Sequence, residues 1–201
     1  MKPFAACIFA LLFLASAPAL AEESPSSDFA EYGVNMGVNP FGGSFSFIYN
    51  STPKTSWFAT LGGLPSGEMD LDIEGTDYKV KSNSSWVGFF VNHRPIQKAQ
   101  WFRVVGGIGF GRIQNELTDG SDNRFEANYT ENPVGYLGIG FGARPVKGFT
   151  IGFDLGWLQT GGPTVSQVDG NPDAQAVEDI SDHFFFGSAL PNAQLTLGWG
   201  F

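Results

Sequence analysis

Residues 190–201, LPNAQLTLGWGF, constrain the fold more than any other stretch of the chain. Counting back in twos from Phe201 gives Trp199, Leu197, Leu195 and Ala193. The interleaved set is Gly200, Gly198, Thr196, Gln194 and Asn192. One face is apolar and turns aromatic towards its end, while the other is small and polar. A period of two belongs to a β-strand, whose successive side chains point to opposite faces. A strand of a soluble sheet rarely ends on an exposed Trp-x-Phe. A strand whose apolar face meets lipid, with its aromatics at the membrane–water boundary, accounts for both features. The pattern predicts a transmembrane barrel.

The opening segment, MKPFAACIFALLFLASAPALA, reads as a secretory signal peptide over residues 1–21. Lys2 supplies the positive region, Ile8 to Leu14 the apolar core, and Ala19-Leu20-Ala21 the cleavage site. As a helix the apolar run is too short to span about 30 Å of hydrocarbon. The only cysteine, Cys7, lies inside this segment. The mature chain is expected to begin at Glu22, without disulfides, thiol nucleophiles or thiolate metal sites. Residues 22–31, EESPSSDFAE, form a polar lead-in with no sign of structure. Residues 32–201 then make one domain, the barrel. No later apolar run approaches 18 residues, so no helical span is expected. The net charge of −9 argues against nucleic acid as a partner.

The same two-residue alternation recurs along the chain. A first strand near 32–39 sets Tyr32, Val34, Met36 and Val38 against Gly33, Asn35, Gly37 and Asn39. A second sets Phe45, Phe47 and Tyr49 against Ser44, Ser46, Ile48 and Asn50. A third starts at Trp57 with ambiguous facing and continues through Met69–Ile73 into a Gly75-Thr76 turn. Its return, Tyr78 to Lys81, reads as a hairpin standing out in water. A fourth strand, 86–92, offers Val87, Phe89 and Val91 to lipid. The fifth, 101–114, sets Phe102, Val104, Ile108 and Phe110 against Arg103, Val105, Gly107, Gly109 and Gly111. The sixth sets Leu137, Ile139, Phe141 and Ala143 against Tyr136, Gly138, Gly140, Gly142 and Arg144. The seventh sets Phe149, Ile151, Phe153, Leu155 and Trp157 against Thr150, Gly152, Asp154 and Gly156. The stretch described first is the eighth.

An all-β fold follows, an eight-stranded antiparallel up-and-down transmembrane β-barrel. Connections after strands two, four and six are short, and those after three, five and seven are long, the pattern of single-chain membrane barrels, which only the short first connection breaks. Residues 116–133 read as a polar, acidic loop and 160–189 as the longest loop. Charge divides the same way. The short turns carry Lys54, Arg94, Lys98, Arg144 and Lys147 and no acid. The long loops carry fifteen carboxylates, among them Asp70, Asp72, Glu74, Glu116, Glu126 and Asp182, offset only by Lys79, Lys81 and Arg124.

Candidate site residues lie in two places. The first is the lumen, which in an eight-stranded barrel is just wide enough for side chains to fill. Arg103, Asp154, Arg144 and Gln194 fall on inward parities and form a candidate polar network. Arg103 and Asp154 are the expected ion pair, spanning the strand between them, with Arg144 as a competing partner. The second is Asp70-x-Asp72-x-Glu74-Gly75, which partly matches the opening of an EF-hand loop and could hold a divalent cation through oxygen ligands. Lys81 stands where the closing Glu should be. With two separated histidines and no mature cysteine, no cofactor is expected.

Signal peptide, even strand count, loop asymmetry and terminal Phe201 together resemble the small eight-stranded bacterial outer-membrane barrels of the OmpA-barrel, OmpX and OmpW kind. The resemblance implies a Gram-negative outer membrane with periplasmic termini, contact with outer-membrane lipid and lipopolysaccharide, and assembly by periplasmic chaperones and the barrel-assembly machinery. In that family a terminal Phe is part of the assembly signal, a role that falls to Phe201. Barrels of this size include a lipid A deacylase that pairs a histidine with a serine two residues later. Here Ser181 precedes His183, so the order is reversed, and an enzyme is not expected. The implied function is a non-enzymatic surface or structural barrel, with a narrow channel for small solutes as the alternative.

Overall fold

A computed structural model describes residues 28–63, 68–130 and 133–201. The signal-peptide reading of residues 1–21, Cys7 and the start at Glu22 lie outside the described residues. Among the described residues eleven strands form in chain order: β1 (Tyr32–Asn39), β2 (Gly42–Asn50), β3 (Thr55–Gly62), β4 (Glu68–Ile73), β5 (Thr76–His93), β6 (Phe102–Asp119), β7 (Arg124–Tyr129), β8 (Val134–Gly142), β9 (Gly148–Gln159), β10 (Thr164–Asp169) and β11 (Ala189–Gly200). Among the described residues one helix, α1 (Ala174–Asp182), precedes β11.

Eight of these strands close a ring in the order β1-β2-β3-β5-β6-β8-β9-β11 and back to β1, every neighbour antiparallel. The seam runs from Gly33 opposite Gly200 to Val38 opposite Leu195. Phe201 extends it: its N–H donates to the Tyr32 carbonyl at 2.9 Å, and its carbonyl accepts from the Tyr32 N–H at 3.1 Å. Closure leaves the ring no unpaired edge, which a spanning sheet requires in hydrocarbon. The outward row is apolar and exposed, including Phe45, Leu61, Phe89, Leu137, Phe153 and Leu197. The inward row is small or polar, with Ser46, Thr60, Asn92, Arg103, Asp154 and Thr196 buried. This arrangement defines a transmembrane barrel of eight strands, as the alternation predicts.

The wall accounts for only part of β5 and β6. Each has 18 residues, a length of about 60 Å. A spanning strand needs only about 9–11 residues. The surplus projects beyond the barrel at the end opposite the termini. There β4 pairs with β5, β7 with β6, and β10 with β7, giving a five-stranded head. Ile73, Tyr78, Val80, Leu117, Phe125, Ala127, Ile180 and Phe186 form a buried apolar core within it. The largest buried apolar cluster therefore sits outside the barrel.

The head corrects three expectations. The acidic stretch 116–133 is not a loop, because β6 runs to Asp119 and β7 returns over Arg124–Tyr129. Leu117, Phe125 and Ala127 alternate with its charges and turn inward. Residues 160–189 contain β10 and α1, which starts with the Asp173 carboxylate accepting from the Ala176 N–H at 3.0 Å and buries Ile180. The fourth strand is the lower half of β5, continuous with the returning hairpin strand. That hairpin turns on Glu74 and Gly75, both left-handed (φ 50° and 83°), the backbone of a two-residue type I′ turn.

The described part of the lead-in, residues 28–31, is more ordered than its composition suggests. Phe29 bridges to Val146, the Ala30 N–H donates to the Pro145 carbonyl, and the Lys147 N–H donates to the Asp28 carbonyl. The Asn50 side-chain amide donates to the Ala30 carbonyl at 2.7 Å. Residues 28–31 thus lie across the terminal end of the barrel, with Ala30 fully buried.

Candidate functional site

The lumen is the site with the most chemistry. Strand register places Arg103 on β6 opposite Gly140 on β8, and Gly140 opposite Asp154 on β9. The three positions share a level and face inward. Gly140 has no side chain, so nothing separates the other two. A Cβ there would collide with the Asp154 carboxylate and the Arg103 guanidinium. Arg103 donates from Nε to Asp154 Oδ1 at 3.1 Å and from Nη2 to Oδ2 at 2.7 Å. This bidentate geometry is the strongest form of a guanidinium–carboxylate contact. Both residues are buried, at 7% and 8% exposure.

Further hydrogen bonds tie the inward row together. Gln194 donates to the Ser44 hydroxyl at 3.1 Å, and the Ser46 and Thr60 hydroxyls meet at 2.9 Å. The Thr196 hydroxyl donates to the Gly152 carbonyl at 3.2 Å. Towards the head, Trp86, Phe90 and Tyr136 project into the bore and narrow it, with edge-on ring pairs at 6.4 Å and 5.7 Å. The inward glycines leave space that these large side chains occupy. A Cβ at Gly107 would strike Phe90, and one at Gly138 or Gly156 would crowd the Tyr136 hydroxyl. What remains is a cavity of about 180 Å³. Typical small-molecule pockets hold about 300–1,000 Å³.

Other candidate residues fall elsewhere. Arg144 is not on the inner wall of a strand: it lies past the end of β8, exposed, with its charge in the turn at the terminal end. Arg94 is the second buried guanidinium, which sequence reading assigned to a solvated turn. Its Nε donates to the Gln100 carbonyl at 3.0 Å and its Nη2 to the Ala143 carbonyl at 2.9 Å. No local pattern marks it, because the two turns that bury it are distant in sequence.

Asp70 and Asp72 project from one face of β4, with Lys79 opposite Asp70 and Asp77 opposite Asp72. Glu74 sits in the turn, and the Asp72 carboxylate accepts from the Gly75 N–H at 3.3 Å. Among the described residues no group of three or more His, Cys, Asp or Glu side chains could hold a metal ion. Ser181 belongs to α1, and its hydroxyl donates to the Val177 carbonyl at 2.8 Å. His183 caps that helix, so the two side chains do not share an extended face. His93 meets the Thr55 hydroxyl at 3.0 Å. Phe201 is 53% exposed on the outer surface.

No family model matches the sequence, and no curated protein matches it. Solved structures do share the architecture. Acinetobacter baumannii CarO matches with a TM-score of 0.67 at 17% identity, over 84% of this chain and 97% of that one. Acinetobacter baumannii CarO2 matches with a TM-score of 0.68 at 18% identity, over 87% and 100%. A major outer membrane protein from Thermus thermophilus matches with a TM-score of 0.51 at 14% identity, over 85% and 99%. At these identities the likeness establishes a shared fold, the eight-stranded transmembrane β-barrel.

Proposed function

We propose that this is a closed outer-membrane barrel of a Gram-negative bacterium, of the small OmpA-barrel, OmpX and OmpW kind. In this reading the termini are periplasmic and the acidic head stands at the cell surface. The protein acts there by contact with lipopolysaccharide or another surface, without catalysis. The narrowed lumen carries the reading: the Arg103–Asp154 pair and the Trp86, Phe90 and Tyr136 rings project into the bore, and residues 28–31 cross its end. Outer-membrane proteins among the structural neighbours support the location. Single-channel recording in planar bilayers tests it. The expected result is a quiet bilayer; discrete conductance steps would overturn the closed state and favour a narrow solute channel through the internal cavity.

Assembly by periplasmic chaperones and the barrel-assembly machinery belongs to the same reading. Phe201 supports it, because the residue closes the seam through its backbone and leaves its ring exposed. Phe201→Ala should lower the amount in the outer membrane while the purified chain still folds in detergent. Wild-type outer-membrane levels would remove the signal role.

A further inference from the structure

The barrel interior holds an unbalanced charge. Among the described residues the buried charged side chains are Arg94, Arg103 and Asp154. Asp154 is committed to Arg103 through both of its oxygens. Two cations against one anion leave one positive charge over, and an uncompensated buried charge is costly.

That charge is Arg94, 4% exposed. Its bonds to the Gln100 and Ala143 carbonyls hold the guanidinium in place, but both partners are neutral. Its third nitrogen, Nη1, is buried without a hydrogen-bond partner among the described residues. Burial, and then Arg103, pull its pKa down to about 10 against the pull of Asp154, so it stays charged at neutral pH. The side chain lines the internal cavity, as do Arg103 and the exposed Arg144. Lys54, Lys98 and Lys147 lie in the turns around the same end.

We propose that the terminal end of the lumen is a binding site for a small soluble oxyanion, a carboxylate or phosphate, with Arg94 as its principal ligand. A planar guanidinium fork matches two oxygens of such a group, as the Arg103–Asp154 pair already illustrates within the same barrel. The internal cavity, about 180 Å³ in all, reaches the terminal end, where Arg94 and Arg144 line it. The basic turns attract anions to that end, and Arg144 stands at the entrance. A closed barrel can hold this ion, because it enters past residues 28–31, which lie across the terminal end, and not past the Trp86, Phe90 and Tyr136 rings.

The test uses the full folded chain in a non-ionic detergent, which carries no phosphate of its own. The urea unfolding midpoint is followed against sodium phosphate, and separately sodium acetate, with sodium chloride at matched ionic strength as reference. The wild type should show a saturable rise with oxyanion beyond the chloride reference. Arg94→Gln should weaken the apparent affinity at least about tenfold, the loss of a charge-assisted hydrogen-bonding partner. Lys81→Gln, in the head, should leave it unchanged. Should Arg94→Gln not fold, Arg94→Lys decides: it keeps the charge, loses the fork, and should weaken binding several-fold. No oxyanion effect in the wild type, or an undiminished one in the Arg94 variants, would overturn the site.

Discussion

The barrel and the head are built from the same two strands and have opposite polarity. Inward residues of β5 keep one parity along its length, from Tyr78 and Val80 in the head to Phe90 and Asn92 in the wall. The same holds for β6, from Leu117 and Asn115 down to Val105 and Arg103. What changes is the chemistry on each side. Outside, β6 passes from Phe110 to Arg112, Gln114 and Glu116, and β5 passes from Val87 to Ser85, Asn83 and Lys81. These changes occur at adjacent levels of the register, where Val87 faces Phe110 and Ser85 faces Arg112. Inside, the charged pair gives way to Tyr78, Leu117 and Phe125. One backbone geometry thus serves two solvents, and the side chains alone mark where lipid ends and water begins. The hydrophobic effect builds a core where water surrounds the sheet. In lipid the apolar residues turn outward and polar contacts hold the interior.

This contrast breaks most sharply at the two cores. Asp154→Ala strands the Arg103 guanidinium and should cost about 3–5 kcal/mol. Urea unfolding in lipid vesicles measures it, and adding Arg103→Ala should recover part of the loss; strictly additive losses would dissolve the pair. Phe125→Ala should cost a similar amount, about 3–5 kcal/mol, but in the head alone. Limited proteolysis should cut the head of that variant while heat-modifiable gel migration of the barrel persists. A barrel that unfolds with the head would make the two regions one cooperative unit.

A charge scan sharpens the boundary. Phe153→Arg, midway along β9 on the outer face, should cost about 2–4 kcal/mol, and Phe110→Arg, beside the boundary, about 0–1 kcal/mol. Equal costs would move the membrane edge. The smallest effect is expected on acidification. Burial opposes ionisation of Asp119, but hydrogen bonds from Asn123 and Ser121 outweigh it and hold the carboxyl below its usual range. A lowered folded-state pKa contributes stability above the ordinary carboxylate range and loses it as pH falls through the folded value. Arg124 and the Gly170 N–H hold Asp169 low in the same way. Protection against hydrogen exchange in the Asp119–Asn123 turn, relative to the intrinsic rate at each pH, should therefore fall below about pH 4, while the seam between β1 and β11 stays protected.

The wall was legible because lipid imposes one rule on every strand. Within the wall, the outward positions of β1, β2, β6, β8, β9 and β11 are mostly apolar, and the parity put Arg103 and Asp154 on the inward face. The facing of β3 was not legible: Phe58 and Trp57 are both aromatic, and only the ring sends Trp57 outward, with Phe58 lining the cavity. The head stayed hidden for a different reason. Its sheet buries few apolar residues per strand, and the acids on the other face dominate the composition of 116–133. Glu116 even stands opposite Glu126, an arrangement that pairing preferences disfavour. Arg94 was invisible because its burial depends on turns far apart in the chain, at Gln100 and Ala143.

The seam between β1 and β11 carries a consequence for folding. The strands that meet there are separated by the whole length of the barrel, so their contacts are among the longest-range in the molecule. Until β11 arrives, β1 and β9 each present a bare row of amides and carbonyls, the form in which sheets recruit stray strands. Closing so distant a contact is slow. The half-made barrel is therefore an aggregation hazard in time, whatever its stability when finished, and the rate of ring closure sets how long a holdase would have to shield it.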